Sequence, residues 1–325
     1  MTDVVSLGSA NVDRTRYLPA DRIIDLESRY DWFPAAGETV RIDESPSLPT
    51  LEAERYENVV GGKGANQAVA AARAGAETAF LGCVGSDEAE FGVLETLADR
   101  GVDVDHVRVA ADLETGKAYV FVDDAGESWI AIVGGANDAV DGAYVDRHYD
   151  RIRTADALLL QNEIPVAAME RVLERLENET ARPTVVFNPA PAEGAEPLCS
   201  RSAVDIIVVN EAEYAALEAP LAEFDGTVVR TRGADDVVAT GGVDHRVTPP
   251  SVEPVDTTGA GDAFCGTLAA LMSEGGGLER ALETATVAGS LATEAEGVQN
   301  AIPDRETVER VLESKTGVDR SSSSP

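Results

Sequence analysis

The sequence predicts an α/β fold on a mostly parallel sheet, with a second, small β-sheet laid over it. Three observations carry this. Short apolar runs alternate with helical periods along most of the chain, the pattern of strand–helix–strand units that sets neighbouring strands parallel. Two strand-like runs, 117–122 and 129–133, interrupt that alternation around the turn Asp123-Asp124-Ala125-Gly126, a hairpin signal. The length of 325 residues and the apolar fraction of 44% suffice for one large domain.

Taken in order, residues 4–8 read as a short buried strand, with Asn11 and Asp13 in the turn behind it. Residues 14–34 are polar and aromatic and show no clear period. Gly61-Gly62-Lys63-Gly64 opens a helix, because Ala65, Ala68, Val69 and Ala72 recur at helical spacing and Gly75 supplies a C-cap. A strand over 78–84 and a helix over 91–97, stopped by Gly101, complete the first third. The hairpin, with part of 36–60, forms the small separate sheet. Strands then fall at 157–160, 184–187, 206–209, 227–231 and 237–240. Helices fall at 166–176, 263–272, 278–292 and near 307–312. The domain is expected to span 1–315, the covering sheet to come from about 14–60 and 107–135, and 316–325 to form a disordered tail.

Composition excludes several classes. The formal net charge is −33, which argues against binding to nucleic acid or anionic membrane. No apolar run reaches the roughly 18 residues of a membrane-spanning helix. Met1 to Val5 lacks the basic start of a leader, so a cytoplasmic protein is expected. Cys83, Cys199 and Cys265 are scattered among apolar or small residues and read as buried thiols. His106, His148 and His245 are isolated and show no zinc spacing. The acids are spread along the chain, while Lys63, Lys117 and Lys315 are the lysines and arginine carries the remaining positive charge. Such a surface self-repels at low salt and is screened at high salt, an adaptation to a salt-rich cytoplasm.

The chemistry starts at Asp256-Thr257-Thr258-Gly259-Ala260-Gly261-Asp262, followed by the apolar run 263–272. Small residues turn tightly and expose N–H groups, and the helix behind them favours an anion at its N-terminus. A carboxylate beside a bound anion needs a task, and taking a proton from a hydroxyl that attacks a phosphoryl group is one. Alone, the segment reads first as a plain capped turn. Other strand ends carry polar groups as well: Asn11 and Asp13, Glu163, Asn188, then Asn210 and Glu213. Ligands of parallel α/β sheets bind at those ends. The chain lacks a P-loop, a dinucleotide fingerprint and the protein-kinase motifs.

Val60-Gly61-Gly62-Lys63-Gly64-Ala65-Asn66-Gln67-Ala68 resembles the first signature of the ribokinase-like (pfkB-type) carbohydrate kinases, and Asp256 to Phe264 resembles the second. Gly8 to Asp13, Gly37-Glu38-Thr39, Asn188-Pro189-Ala190-Pro191 and Asn210-Glu211-Ala212-Glu213 resemble further blocks in family order. The first signature and Asn-Pro-Ala-Pro are most similar to the ribokinase branch. The resemblance implies a three-layer αβα sandwich with a β-sheet lid that closes over a sugar. It implies Asp262 as catalytic base and the amides of Gly259, Ala260 and Gly261 as an anion hole. Asn11, Asp13, Gly62, Lys63, Asn66 and Glu163 would hold the sugar. Asn188, Asn210, Thr231, Arg232, Gly233 and Gly261 would face ATP, and Glu213 would meet Mg²⁺ through water. Asp256, Thr258, Gly297 and Ala301 would hold K⁺ or a similar monovalent cation; for Asp256 a simple turn acid is the competing role.

The implied reaction is ATP-dependent phosphorylation of a primary hydroxyl, with D-ribose the expected sugar. Deoxyribose, fructose, 2-keto-3-deoxygluconate or a nucleoside are the alternatives, as is a non-catalytic sugar-binding regulator. Exposed lid edges invite a homodimer through the lids. Two departures stand out: the stretch between Asp13 and Gly37 is long, and the one between Glu213 and Thr227 is short.

Overall fold

The computed structural model describes residues 2–35, 39–42, 55–124 and 127–321. Gly37, Glu38, the turn residues Ala125 and Gly126, and 322–325 lie outside the described residues. The strands are β1 (Val4–Leu7), β2 (Asn11–Tyr17), β3 (Thr39–Arg41), β4 (Glu57–Gly61), β5 (Thr78–Leu81), β6 (Cys83–Gly85), β7 (Val102–Asp103) and β8 (Arg108–Ala110). They continue as β9 (Gly116–Val122), β10 (Ser128–Val133), β11 (Ala157–Gln161), β12 (Thr184–Asn188), β13 (Ile206–Val209), β14 (Thr227–Arg232), β15 (Asp235–Gly241) and β16 (His245–Val247).

The main sheet has nine strands in the order β16-β15-β14-β13-β12-β11-β1-β5-β7. It is parallel from β14 to β7, and β15 and β16 add an antiparallel edge. Side chains alternate between faces with the period of two that strands impose. Val5, Leu7, Leu158, Leu160, Val185 and Phe187 pack with Tyr149, Ile152, Met169 and Leu173, which come from the helices Gly142–Arg153 and Val166–Leu176. Val4, Ala157, Leu159 and Val186 face the other way, onto Phe264, Leu268 and Leu282 of the helices Ala260–Ser273 and Leu278–Leu291. A sheet buried on both faces between helix layers is the predicted three-layer αβα sandwich.

The smaller sheet has five strands in the order β3-β10-β9-β2-β4. One face packs Tyr119, Phe121 and Trp129 against Leu18, Ile23 and Leu26. Ile23 and Leu26 belong to the helix Ala20–Arg29, whose Glu27 accepts a bond from the Trp129 indole at 3.2 Å. Among the described residues no helix is long and apolar enough to cross a membrane. The three cysteines are buried free thiols.

Several expectations need correction. Asn11 and Asp13 are not in a turn; they begin β2, paired with β4 and β9. The chain leaves the main sheet at Leu7, crosses through Gly8 to Ala10 and enters the second sheet at once. The smaller sheet therefore starts at Asn11, before the expected boundary, and β8 pairs with β6 in a two-stranded sheet of its own. The stretch without a period contains the helix Ala20–Arg29, which sets Ile23 and Leu26 one turn apart on a single face against the smaller sheet. The expected 78–84 strand breaks at Gly82, whose N–H bonds the Tyr144 hydroxyl at 2.9 Å instead of a neighbouring strand. The last helix spans Arg305–Ser321 and runs into the expected tail.

The helices Lys63–Arg73 and Ala260–Ser273 pack through small residues. A Cβ on Gly266 would stand 2.3 Å from the Gln67 carbonyl oxygen and 2.5 Å from the Ala70 methyl. Both obstacles belong to a buried helix that cannot retreat. Replacing Gly266 by Val is expected to destabilise the fold by about 1–3 kcal/mol or more, the cost of overpacking. Urea unfolding at high KCl measures it; a change under about 0.5 kcal/mol, the scatter of surface substitutions, would show that the helices can part.

Candidate active site

Two backbone segments meet where the sheets join. A Cβ on Gly64 would lie 2.6 Å from the Ser9 nitrogen, and one on Gly62 would lie 2.7 Å from the Asn11 nitrogen. Gly62 also has φ 90, a left-handed region that side chains rarely enter. The glycines of the first signature thus let the β4–helix turn lie directly on the β1–β2 crossing. Glu163, just beyond β11, clamps the junction. Its Oε2 accepts from Ser9 Oγ at 2.5 Å and from the Lys63 N–H at 3.1 Å. Asn11 is held by Asn137, which donates to its Oδ1 at 2.7 Å and accepts from the Ala10 N–H at 3.0 Å.

Asp262 sits in the first turn of the helix Ala260–Ser273, 6% exposed. Its Oδ1 accepts from Gln67 Nε2 and its Oδ2 from Asn66 Nδ2, each at 3.0 Å. Gly259 is the N-cap, with φ 80 and no side-chain cap. Among the described residues no acceptor faces the N–H groups of Gly259, Gly261 and Asp262, whereas Ala260 donates to the Thr257 carbonyl at 3.3 Å. The expected anion hole is therefore open at Gly259 and Gly261 and partly engaged at Ala260. Unpaired amides at a helix start attract an anion.

Charge in the site is dense. Burial pushes Asp262 upward, against Lys63, Asn66 and Gln67, which favour its ionised form. Burial alone would lower Lys63, but Asp262, Glu163 and Glu213 outweigh it and hold the ammonium charged. Asp13 is pushed up to about 7 by burial and by Glu163, with Lys63 opposing.

Across the cleft, Asn188 ends β12, donating to the Val208 carbonyl at 3.0 Å and accepting from Gln67 at 3.3 Å. Asn210 and Glu213 form a capping box, with bonds of 2.8 and 2.9 Å. Only Oε2 of Glu213 is used there, which leaves Oε1 for a hydrated Mg²⁺, a hard ion that takes oxygen ligands. Lys63, Asn188, Asn210, Glu213, Thr231 and Asp262 line one cleft with Gly259 and Gly261. Arg232 and Gly233 are not brought into it. Arg232 pairs with Glu211 at 2.6 Å, and Gly233 turns the chain into β15. Asp256 accepts from the Thr258 N–H at 2.9 Å and from the Gly297 N–H at 3.4 Å. Ala301 lies one turn on, its N–H bonded to the Gly297 carbonyl at 3.1 Å. The residues expected around a monovalent cation are thus gathered beside the Gly259 turn, with a pinned carboxylate at their centre.

A family model described as pfkB family carbohydrate kinase matches residues 33–305. The chain belongs to that family. It is 35% identical over 299 residues to the ribokinase of Bacillus subtilis, covering 89% of this chain and 96% of that one. It is 33% identical over 330 residues to a bifunctional ribokinase/ribose-5-phosphate isomerase A of Fructilactobacillus sanfranciscensis, spanning 56% of that protein's length. A Halopiger xanaduensis ATP-dependent ribose-1-phosphate kinase is 33% identical over 280 residues, 81% of this chain and 90% of its own. The solved Arabidopsis thaliana ribokinase, complexed with ribose and ATP, superposes with a TM-score of 0.76 at 28% identity, covering 96% and 99% of the two chains. This pfkB-family chain is accordingly a phosphotransferase with an alcohol group as acceptor.

Sequence reasoning did not single out Ser9, Gln67, Asn137, Gln161 or Gln299. Gln67 carried a legible signal: an amide among alanines and a valine on a buried helix has to find a partner. Asn137 and Gln299 carried none, since their partners are 126 and 233 residues away.

The raised Asp13 has a pH consequence. In the unfolded chain it ionises near its ordinary value of 3.8, in the folded chain near 7. Between these values the folded state holds a proton that the unfolded state has lost, so this group's contribution to stability falls as pH rises through the window and is flat above it. Asp13→Asn is expected to match the parent at pH 4 and to exceed it in stability at pH 8, read by urea unfolding. Equal stability differences at both pH values would remove Asp13 as the cause.

Proposed function

We propose that this pfkB-family chain transfers the γ-phosphoryl group of ATP to the primary hydroxyl of D-ribose, yielding D-ribose 5-phosphate and ADP in the cytoplasm. The observation that carries this is the Asp262 carboxylate. It is buried, fixed by two amide donors and set at the open N-terminus of a helix, between sugar-type and phosphate-type groups. Asp262 takes the proton from the sugar hydroxyl as its oxygen forms the bond to γ-phosphorus and the bond to the bridging β–γ oxygen breaks. The N–H groups of Gly259 and Gly261 stabilise charge on the transferring group, with Ala260 joining if its long bond to Thr257 yields. Asn11, Asp13, Lys63, Asn66 and Glu163 hold the sugar, whose hydroxyls both donate and accept.

Asn188, Asn210 and Thr231 face the nucleotide; Arg232 and Gly233 support the edge beside it. Glu213 would hold Mg²⁺ through water, and the ion would neutralise phosphate charge. Asp256, Thr258, Gly297 and Ala301 would hold a monovalent cation, which would supply a fixed charge beside the anion hole. The smaller sheet acts as a lid that excludes water during transfer.

The relative acting on ribose 1-phosphate raises a second substrate. Asp13, Glu163 and Asp262 face Lys63, so carboxylates already balance its ammonium, which supports the neutral sugar. A purified-enzyme panel at high KCl separates the readings. Turnover of ribose 1-phosphate or a nucleoside without turnover of ribose would overturn the assignment.

Asp262→Asn is expected to lower kcat by about 10³-fold, within the usual range for a lost general base. Ribose affinity by calorimetry should hold. An unimpaired variant would sink the mechanism, and intact sugar binding with no parent turnover would favour the regulator reading. The exposed edge of β4, with Val59 41% exposed, supports a homodimer through the lids. Sedimentation at high salt should give twice the chain mass, and Val59→Asp should yield monomer; a parent monomer would refute it.

A further inference from the structure

The amides around Asp262 form a chain with a direction, and the direction is set near the surface. Arg100 is half-buried just after the helix Val93–Asp99. Its Nη1 donates to Gln299 Oε1, and its Nη2 donates to Asn300 Oδ1 at 2.7 Å. Gln299 is fully buried, and its Nε2 donates to Asn66 Oδ1 at 2.8 Å. Asn66 Nδ2 then donates to Asp262. A guanidinium offers donors only, and an ionised carboxylate offers acceptors only. The two amides between them must each point oxygen toward Arg100 and nitrogen toward Asp262. Turning either one over sets oxygen against oxygen or nitrogen against nitrogen on both of its sides, and both amides are buried.

A second contact ties the same segment to the other half of the site. A Cβ on Gly259 would stand 2.2 Å from Val298 Cγ1, so Val298 lies directly on the N-cap of the anion-hole helix. The short helix Val298–Ala301 therefore reaches the carboxylate through Gln299 and Asn66, and meets the N-cap Gly259 through Val298. Arg73 fastens its far end by donating to the Ile302 carbonyl.

We propose that Arg100 and Gln299 are positioning residues for phosphoryl transfer, fixing the amide polarity that gives Asp262 its N–H bond from Asn66. Neither touches the reacting atoms. The proposal rests on Asp262 being the base. Lys63, Glu163, Asp13, Glu213 and Cys265 also act on Asp262 and remain in place in every variant below.

The test uses the full chain with ribose and ATP at high KCl, with pH profiles of kcat/KM and calorimetry for ribose. Arg100→Met and Gln299→Met should lower kcat by about 10²-fold, the cost of a small misplacement, with KM for ATP unchanged. The acid limb should move up by roughly one pH unit, because the ionised form has lost a hydrogen bond. Arg100→Lys, still a donor-only cation, should recover most of the rate. Gln299→Glu can still accept from Arg100 but cannot donate to Asn66, so it should fall as far as Gln299→Met. Folded Met variants with parental kcat and acid limb would overturn the proposal. So would a Gln299→Glu enzyme that behaves as the parent, which reduces the contact to anchoring. If Gln299→Met does not fold, Arg100→Met decides; if neither folds, the role is structural and the proposal fails. An active Asp262→Asn enzyme would instead overturn the base assignment itself.

Discussion

The buried carboxylate of Asp262 is the constraint on which the site depends. An ionised carboxylate removed from water is tolerated only where the protein supplies its hydrogen bonds. Here both oxygens are supplied from one neighbouring helix, through Asn66 and Gln67. Short side chains of that kind reach across only if the two helix backbones come unusually close. Gly266 and the alanines around Ala70 permit that approach. The run of small residues in Lys63–Arg73 is thus part of the chemistry, since a larger interface would leave the carboxylate unpaired. The same carboxylate raises Lys63, which keeps a cation in the cleft.

The second consequence concerns the join between the sheets. β1 lies in the main sheet and β2 in the smaller one, and the crossing of Gly8 to Ala10 is pressed against the Gly62–Gly64 turn. Sugar-type residues are divided between these bodies. Asn11 and Asp13 ride on the smaller sheet, while Lys63, Asn66, Glu163 and Asp262 belong to the main one. On the proposed assignment a sugar bound by both sets would bridge the join and couple occupancy of the site to the seating of the smaller sheet. Asn137 serves that coupling by holding the Asn11 amide and the Ala10 backbone together.

Much of this was legible beforehand where the physics is local. The β12 and β13 ends, the Asn210–Glu213 cap, the Gly61–Asn66 turn and the Gly259–Asp262 helix start all follow from patterns within ten residues. The helix read behind Gly259 is present, with Asp262 in its first turn. What escaped was set at long range. Asn11 was read as a turn residue because a four-residue strand followed by polar residues looks like a strand end; nothing local says that the chain enters a second sheet. The helix Ala20–Arg29 escaped although Ile23 and Leu26 share a face one turn apart, because charged residues surround them and the aromatics that follow do not continue the stripe. Arg232 resembled a nucleotide contact by position, but Glu211 claims its guanidinium beside the cleft. Gln299 lay between two residues that were named, yet its partner Asn66 is 233 positions away.

The acidity of the chain bears on how such a site can take an anion. With 26 basic against 59 acidic residues, the far field opposes ATP. That field acts over long distances and is cut off within about 10 Å at 0.1 M salt, and sooner in brine. Attraction inside the cleft works at contact range, where salt screens little. Lys63 and the free amides of Gly259 and Gly261 are built into backbone that Glu163 and the helix start hold fixed. The arginines are spent differently: Arg171 and Arg175 converge on Asp146, Arg201 on Glu177, and Arg230 and Arg232 on Glu211, all at the surface. The chain therefore separates two electrostatic tasks. Arginine forks satisfy surface carboxylates, while one slim ammonium on a glycine turn and a few backbone dipoles provide the positive end of the cleft. Lys63 keeps its charge there because Asp262, Glu163 and Glu213 face it, and it presents that charge as a compact point where the arginines carry planar forks.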